Sequence, residues 1–324
     1  MIAIPIQKVK DAISLYKVEI DTFIIDVEKK LIKIRDSAKL TNPEQAFIIK
    51  IINYDVKRIV LAKSTHEVED CISAIGKIPK NLRGSGNKSF KDELLECFGY
   101  SRLRAEFYPR YFQKIGIKAC VYCNSQLTVS VEPKKKQKYQ KKIPITLKAK
   151  FQVDHYYSKA TYPYLSISFF NLYPVCASCN NSKRDYQVDF NLYSSNPNHL
   201  RRSDFHFKFC KGSVAKYKLS RNIDDIKYIF IEPNTRNHRF NNLFDIQGIY
   251  DTQKDIAEEL IIKSEIYTKS YKDSLISSFG KILNNSNINN RIIVGNYMEP
   301  ENIHKRPMAK FMQDLAFQLG LPVK

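Results

Sequence analysis

The sequence predicts an α+β protein, mainly helical, wrapped around a small central core of short strands and turns. Three observations carry this. Residues 7 to about 105 keep helical apolar spacing with recognisable caps; short alternating segments follow; and two C-x-x-C pairs, "CVYC" and "CASC", bracket the alternating part. Boundaries are expected near 105 and 195, giving an N-terminal helical region 1–105, a central core 106–195 and a mixed or helical region 196–324.

The helical region is read from its ends. In "TNPEQAFIIKIINYDVKRIVLAK", Asn42 is expected as N-cap with Pro43 at the first helical position, and Phe47, Ile51 and Ile59 form an apolar stripe. In "STHEVEDCISAI", Ser64 and Glu67 fit a capping box. "NLRGSGNKSF" lacks the leading glycine of a phosphate-binding loop and reads as a connection between helices. A short helix through "FYPRYFQKIG" should stop at Gly116, and the first Cys pair occupies the turn after it.

The centre changes character. Leu127, Val129 and Val131 alternate, as do Ile143, Ile145 and Leu147, which predicts a hairpin whose tip carries Lys134, Lys135 and Lys136. That tip reads either as a solvated loop or as a grip on backbone phosphates. Beyond Asp185, "IKYIFIEP" reads as a strand. "DTQKDIAEELIIKSEIYTKSYKDSLISSFGKIL" reads as one long helix or two, capped by Asp251 or Thr252. A last helix should stop at Gly320, its start delayed by Pro307.

Composition narrows the partners. Fifty-three Lys+Arg against thirty-three Asp+Glu leave a net charge of +20, an excess that points to a polyanion, with nucleic acid favoured over a membrane surface. Hydrophobic residues make up 43% and mean hydropathy is -0.39, with no run long enough to span a bilayer and no secretory leader pattern at the start. The expected compartment is therefore the cytoplasm. Seven cysteines, an odd number, argue against a disulfide framework there. Four of them, Cys120, Cys123, Cys176 and Cys179, supply the soft ligands of a closed tetrahedral zinc site. Cys71, Cys97 and Cys210 read as small buried side chains.

Between the two pairs lie Asp154-His155 at the end of a strand-like approach, then Asn171, then Asn180 directly after Cys179, then Lys183 and Arg184. Taken singly, each has a structural reading: a core histidine, a turn aspartate, asparagine caps, a solvated basic helix face. Taken together, the order D-H, N-L, C-x-x-C-N-x-x-K resembles the HNH endonuclease family, whose ββα-metal core is often clamped by a four-Cys zinc site. The resemblance covers roughly residues 117–185.

It implies that His155 is the general base and that Asp154 and Asn180 bind a catalytic divalent cation. It also implies that Asn171 holds the hairpin loop through backbone hydrogen bonds and so orients His155. The third position of the motif is here Asn instead of His, which favours Mg²⁺ or Mn²⁺, since an amide oxygen is a hard ligand. Lys183 and Arg184 are expected near phosphate, with DNA as the substrate. The zinc anchors and does no chemistry. Family members of this outline occur in bacterial restriction and phage-defence modules, in some cases beside an ATPase subunit. Two rivals share the cysteines and the charge: a non-catalytic zinc module that binds DNA or RNA, and an RNA-directed nuclease.

Overall fold

The structure is a computed structural model that describes residues 1–37, 39–80, 88–132, 147–201, 203–234, 239–280 and 286–321. The lysine tip, Lys134 to Lys136, and most of the glycine-containing connection before Lys88 lie outside the described residues. The chain is mixed helix and small sheets, as the α+β expectation required. It divides into two compact units, one of Ile4–Gly116 and Thr128–Ser195, the other of Met1–Ala3, Ile117–Leu127 and Asn196–Lys324.

The first unit opens on β1 (Ile4–Pro5) and runs through α1 (Ile6–Leu15), α2 (Lys17–Arg35), α3 (Asn42–Tyr54), α4 (Val56–Val60), α5 (Thr65–Ile75), α6 (Phe90–Phe98), α7 (Tyr100–Glu106) and α8 (Tyr108–Ile115). Local chemistry sets the breaks. The cap of α3 is Thr41, not Asn42: the Glu44 carboxylate reaches back to accept from the Thr41 N–H at 2.9 Å, and Pro43 falls in the first turn. Ser64 Oγ accepts from the Glu67 N–H at 3.2 Å, while the Glu67 carboxylate takes the N–H of Lys63 rather than that of Ser64. Gly116 ends α8 at φ 85°, a left-handed geometry that costs a side-chain-bearing residue energy. An aromatic cluster of Phe107, Tyr108, Tyr111, Phe112 and Phe169 fills the core behind α8.

Five short strands and a helix complete this unit among the described residues. β2 (Ser130–Val131) pairs antiparallel with β3 (Lys148–Ala149), the described base of the expected hairpin. β4 (Gln152–His155) pairs antiparallel with β5 (Leu172–Val175), placing His155 opposite Leu172 and Asp154 opposite Tyr173. The loop between them holds two single 3₁₀ turns, Pro163–Leu165 and Phe169–Asn171. α9 (Ala177–Lys183) follows β5 at once and packs on β4. β6 (Tyr193–Ser194) returns to run parallel to β1.

The second unit contains α10 (Pro197–Arg201), β7 (His206–Phe209), α11 (Ser213–Ser220), β8 (Tyr228–Ile231), α12 (Phe240–Phe244), α13 (Ile246–Asp251), α14 (Lys254–Ile266), α15 (Lys269–Phe279), α16 (Ser286–Val294) and α17 (Ala309–Gln318). β7 and β8 form an antiparallel pair that α17 covers, with Phe207, Tyr250 and Phe311 in mutual ring contact. The long helical stretch is two helices, α14 and α15, broken before Thr268, whose hydroxyl caps Tyr271. Asp251 ends α13, and Gln253 stands at the cap position of α14. No helix among the described residues is long and apolar enough to cross a membrane.

Candidate metal centre and hairpin site

The two Cys pairs meet. The sulfurs of Cys120, Cys123, Cys176 and Cys179 all lie within 4.8 Å of one another, and all four residues are buried. A tetrahedron of ~2.3 Å metal–sulfur bonds has its sulfurs about 3.8 Å apart, so the cluster can hold a metal ion such as zinc. Polar hydrogens point at the sulfurs: Ser125 donates to Cys123 Sγ from its N–H at 3.4 Å and its hydroxyl at 3.1 Å, and the Cys179 N–H donates to Cys176 Sγ at 3.5 Å. Such donors favour the thiolate form that a metal requires. Cys176 is also the N-cap of α9, so one sulfur serves both the cluster and the first turn of the helix. Among the other thiols, Cys71 and Cys97 are buried as expected and Cys210 is partly exposed.

β4, its loop, β5 and α9 bring the remaining sequence-predicted residues into one neighbourhood. Asn171 is fully buried, and its side chain laces the loop to itself. Its Oδ1 accepts from the Tyr157 N–H at 2.7 Å, while its Nδ2 donates to the carbonyls of Tyr157 at 3.1 Å and Leu165 at 3.0 Å. One residue beyond Leu165, the carbonyl of Ser166 meets His155 Nε2 at 3.1 Å. A carbonyl only accepts, so Nε2 carries the proton and Nδ1 keeps its lone pair. Nδ1 has no partner among the described residues. Burial, with the nearby charge of Lys159 second, pushes the His155 pKa down to about 3, so the ring is neutral at physiological pH.

Asp154 and Gln152 alternate with His155 along β4 and share the face that α9 covers. Asn180 and Lys183, three apart on α9, lie on one side of the helix. Asn180 Nδ2 donates to Gln152 Oε1 at 2.6 Å, which leaves its own Oδ1 without a protein donor among the described residues. Lys183 reaches Asp154, 3.3 Å from Oδ1 and 3.2 Å from Oδ2, and donates to the carbonyl of His155 at 2.8 Å. Asp154 and Asn180 therefore face the same seam between strand and helix. Lys183 does not stand at the surface as expected: it is 0% exposed and its ammonium sits on Asp154. Arg184 terminates α9 at φ 47° and is exposed.

Sequence reasoning missed Tyr100, Lys159 and Arg104. The Tyr100 ring lies 4.8 Å from the His155 ring, and its hydroxyl donates to the Val153 carbonyl at 3.2 Å. Burial pushes that hydroxyl's pKa up to about 12, so it remains a donor. No local motif marks these residues, because they come from α7 and the hairpin loop and meet His155 only through tertiary packing. Comparison with protein-family models, with curated proteins and with solved structures finds no match for this chain.

Proposed function

We propose that this protein is a metal-dependent HNH-type endonuclease that hydrolyses DNA phosphodiester bonds. The observation that carries the reading is the antiparallel hairpin followed by a helix, with Asn171 tied to the hairpin loop at both Tyr157 and Leu165. Those bonds keep the loop in the form that presents the Ser166 carbonyl to His155. The imidazole is thereby held in one tautomer, with Nδ1 as the atom that accepts a proton from an attacking water. An imidazole held at so low a pKa is a weak base in the free protein, and the charge of a bound phosphodiester acts in the opposite direction.

The donor set on the strand–helix seam is a carboxylate, Asp154, and an amide oxygen, Asn180. Both are hard ligands, and they fit Mg²⁺ or Mn²⁺ better than a soft ion. Such an ion, when bound, stabilises charge on the phosphate and on the departing oxygen. Lys183 fixes the Asp154 carboxylate and the His155 backbone on the same side of α9. The four-Cys cluster, loaded with zinc, anchors the first turn of that helix. A setting in bacterial restriction or phage defence, with an ATPase subunit as partner, accompanies this reading as a proposal.

One observation favours a second reading, a zinc-dependent nucleic-acid-binding module without catalysis. The Lys183 ammonium already lies at ion-pair distance from the carboxylate that the divalent cation needs. The two readings part on one experiment. Supercoiled plasmid is incubated with Mg²⁺ or Mn²⁺ and with wild type or His155→Ala, with zinc content checked in both, and an RNA substrate is run in parallel. A nuclease loses about 10²- to 10⁴-fold in rate on losing its general base. Equal nicking by both proteins, or none by either, refutes the assignment. Cutting confined to RNA moves the substrate to RNA.

A further inference from the structure

Lys159 stands in the loop after β4, half-buried, with its ammonium 4.2 Å from the centroid of the Tyr100 ring. The same ring contacts His155, so lysine and imidazole sit on a shared aromatic platform. Arg104 lies four residues along α7 from Tyr100, one helical turn on the same side, and its side chain is exposed. Lys91 is in the first turn of α6. These cations feel one another: after burial, the charge of Arg104 is the largest influence that lowers the Lys159 pKa, and Lys91 adds to it. Lys159 and Arg104 also bear on His155.

Two carboxylates bear on Lys159, Asp154 and Asp185, and each has another partner. Asp154 carries Lys183, and Asp185 accepts a hydrogen bond from the Ser158 hydroxyl. Lys159, Arg104 and Lys91 form no ion pair and no hydrogen bond among the described residues. Gathering like charges beside a half-buried platform is unfavourable unless an anion joins them. The planar guanidinium suits two phosphate oxygens at once, and the ammonium serves as a point charge beside it.

We infer that Lys159 and Arg104 form a phosphate clamp that grips the nucleic-acid backbone one or two nucleotides from the phosphate facing His155. The clamp's place beside the scissile phosphate rests on the nuclease reading; its capacity to hold a polyanion does not. The contacts go to the backbone, so they position the strand and read no bases.

The test is binding without cutting. In a His155→Ala background, a fluorescein-labelled duplex of ~20 base pairs is titrated by anisotropy from 50 to 200 mM KCl. Each phosphate contact contributes about 0.9 to the slope of log K against log salt. Lys159→Met with Arg104→Gln should lower that slope by about 1.8, so the parent loses about 12-fold more affinity than the variant over this range. The charge-matched control, Lys208→Met with Lys211→Met, and the conservative pair, Lys159→Arg with Arg104→Lys, should keep the parent slope. Zinc content and thermal midpoint of every variant establish folding, and Lys159→Met alone, expected to lower the slope by about 0.9, stands in should the double variant misfold. A clamp variant with the parent slope, or a control that falls as far, overturns the inference. A reduced slope in a protein whose His155 form cuts nothing upholds the clamp and overturns the nuclease reading alone.

Discussion

Replacing Asn171 by alanine removes three hydrogen bonds, one accepted from Tyr157 N–H and two donated to the carbonyls of Tyr157 and Leu165. The side chain is 0% exposed, so water does not simply take its place. At about 1 kcal/mol net for each bond, the loss is about 3 kcal/mol. For a unit of this size each kcal/mol moves the thermal midpoint by roughly 2–4 °C, so the expected drop is roughly 6–12 °C. The melt can be followed by circular dichroism at fixed zinc content. Asn171→Asp is the informative companion: it keeps the acceptor for Tyr157 N–H but turns a carboxylate oxygen toward two carbonyls, so it should be at least as destabilising. A drop below about 2 °C for alanine, or an aspartate variant as stable as wild type, would refute the view that this amide ties the loop together.

Three further outcomes follow from the site. Purified protein should contain about one zinc per chain by elemental analysis, and Cys176→Ser with Cys179→Ser should remove it; wild type with less than about 0.2 per chain rules out the metal cluster. Lys183→Ala leaves the 4%-exposed Asp154 carboxylate without its cation, a cost of about 3–5 kcal/mol read from the urea midpoint, whereas Lys183→Met with Asp154→Leu should recover most of it. The His155→Ala comparison on plasmid should show a rate loss of about 10²-fold or more at unchanged zinc content.

Much of this site can be read from the sequence because its parts carry fixed spacings. A C-x-x-C turn presents two sulfurs to one point, and two such turns in one chain predict a shared point; the four sulfurs do converge. The stop of α8 at Gly116 and the strand at Tyr228–Ile231 are similarly local, one a left-handed glycine and the other an apolar β-branched and aromatic run. Lys183 was not legible. In sequence it closes a polar, basic helix end, and only the packing of α9 on β4 shows that its side faces Asp154. The cap of α3 was displaced by one residue because Thr41 and Asn42 are both good caps and the reach of Glu44 decides between them. The two-residue pairing of β1 with β6 leaves no periodic trace at all.

The start of α9 has a consequence for how the protein matures. A helix of seven residues has too few internal hydrogen bonds to persist alone in water, and here its opening turn hangs on the Cys176 sulfur. Stripping the ion should therefore do more than empty a knuckle: it should fray the segment that aims Asn180 and Lys183 at the strand. Chelation of a bound ion would then loosen the Asn180–Gln152 and Lys183–Asp154 contacts from a distance, and newly made chains would set that seam only as they acquire an ion.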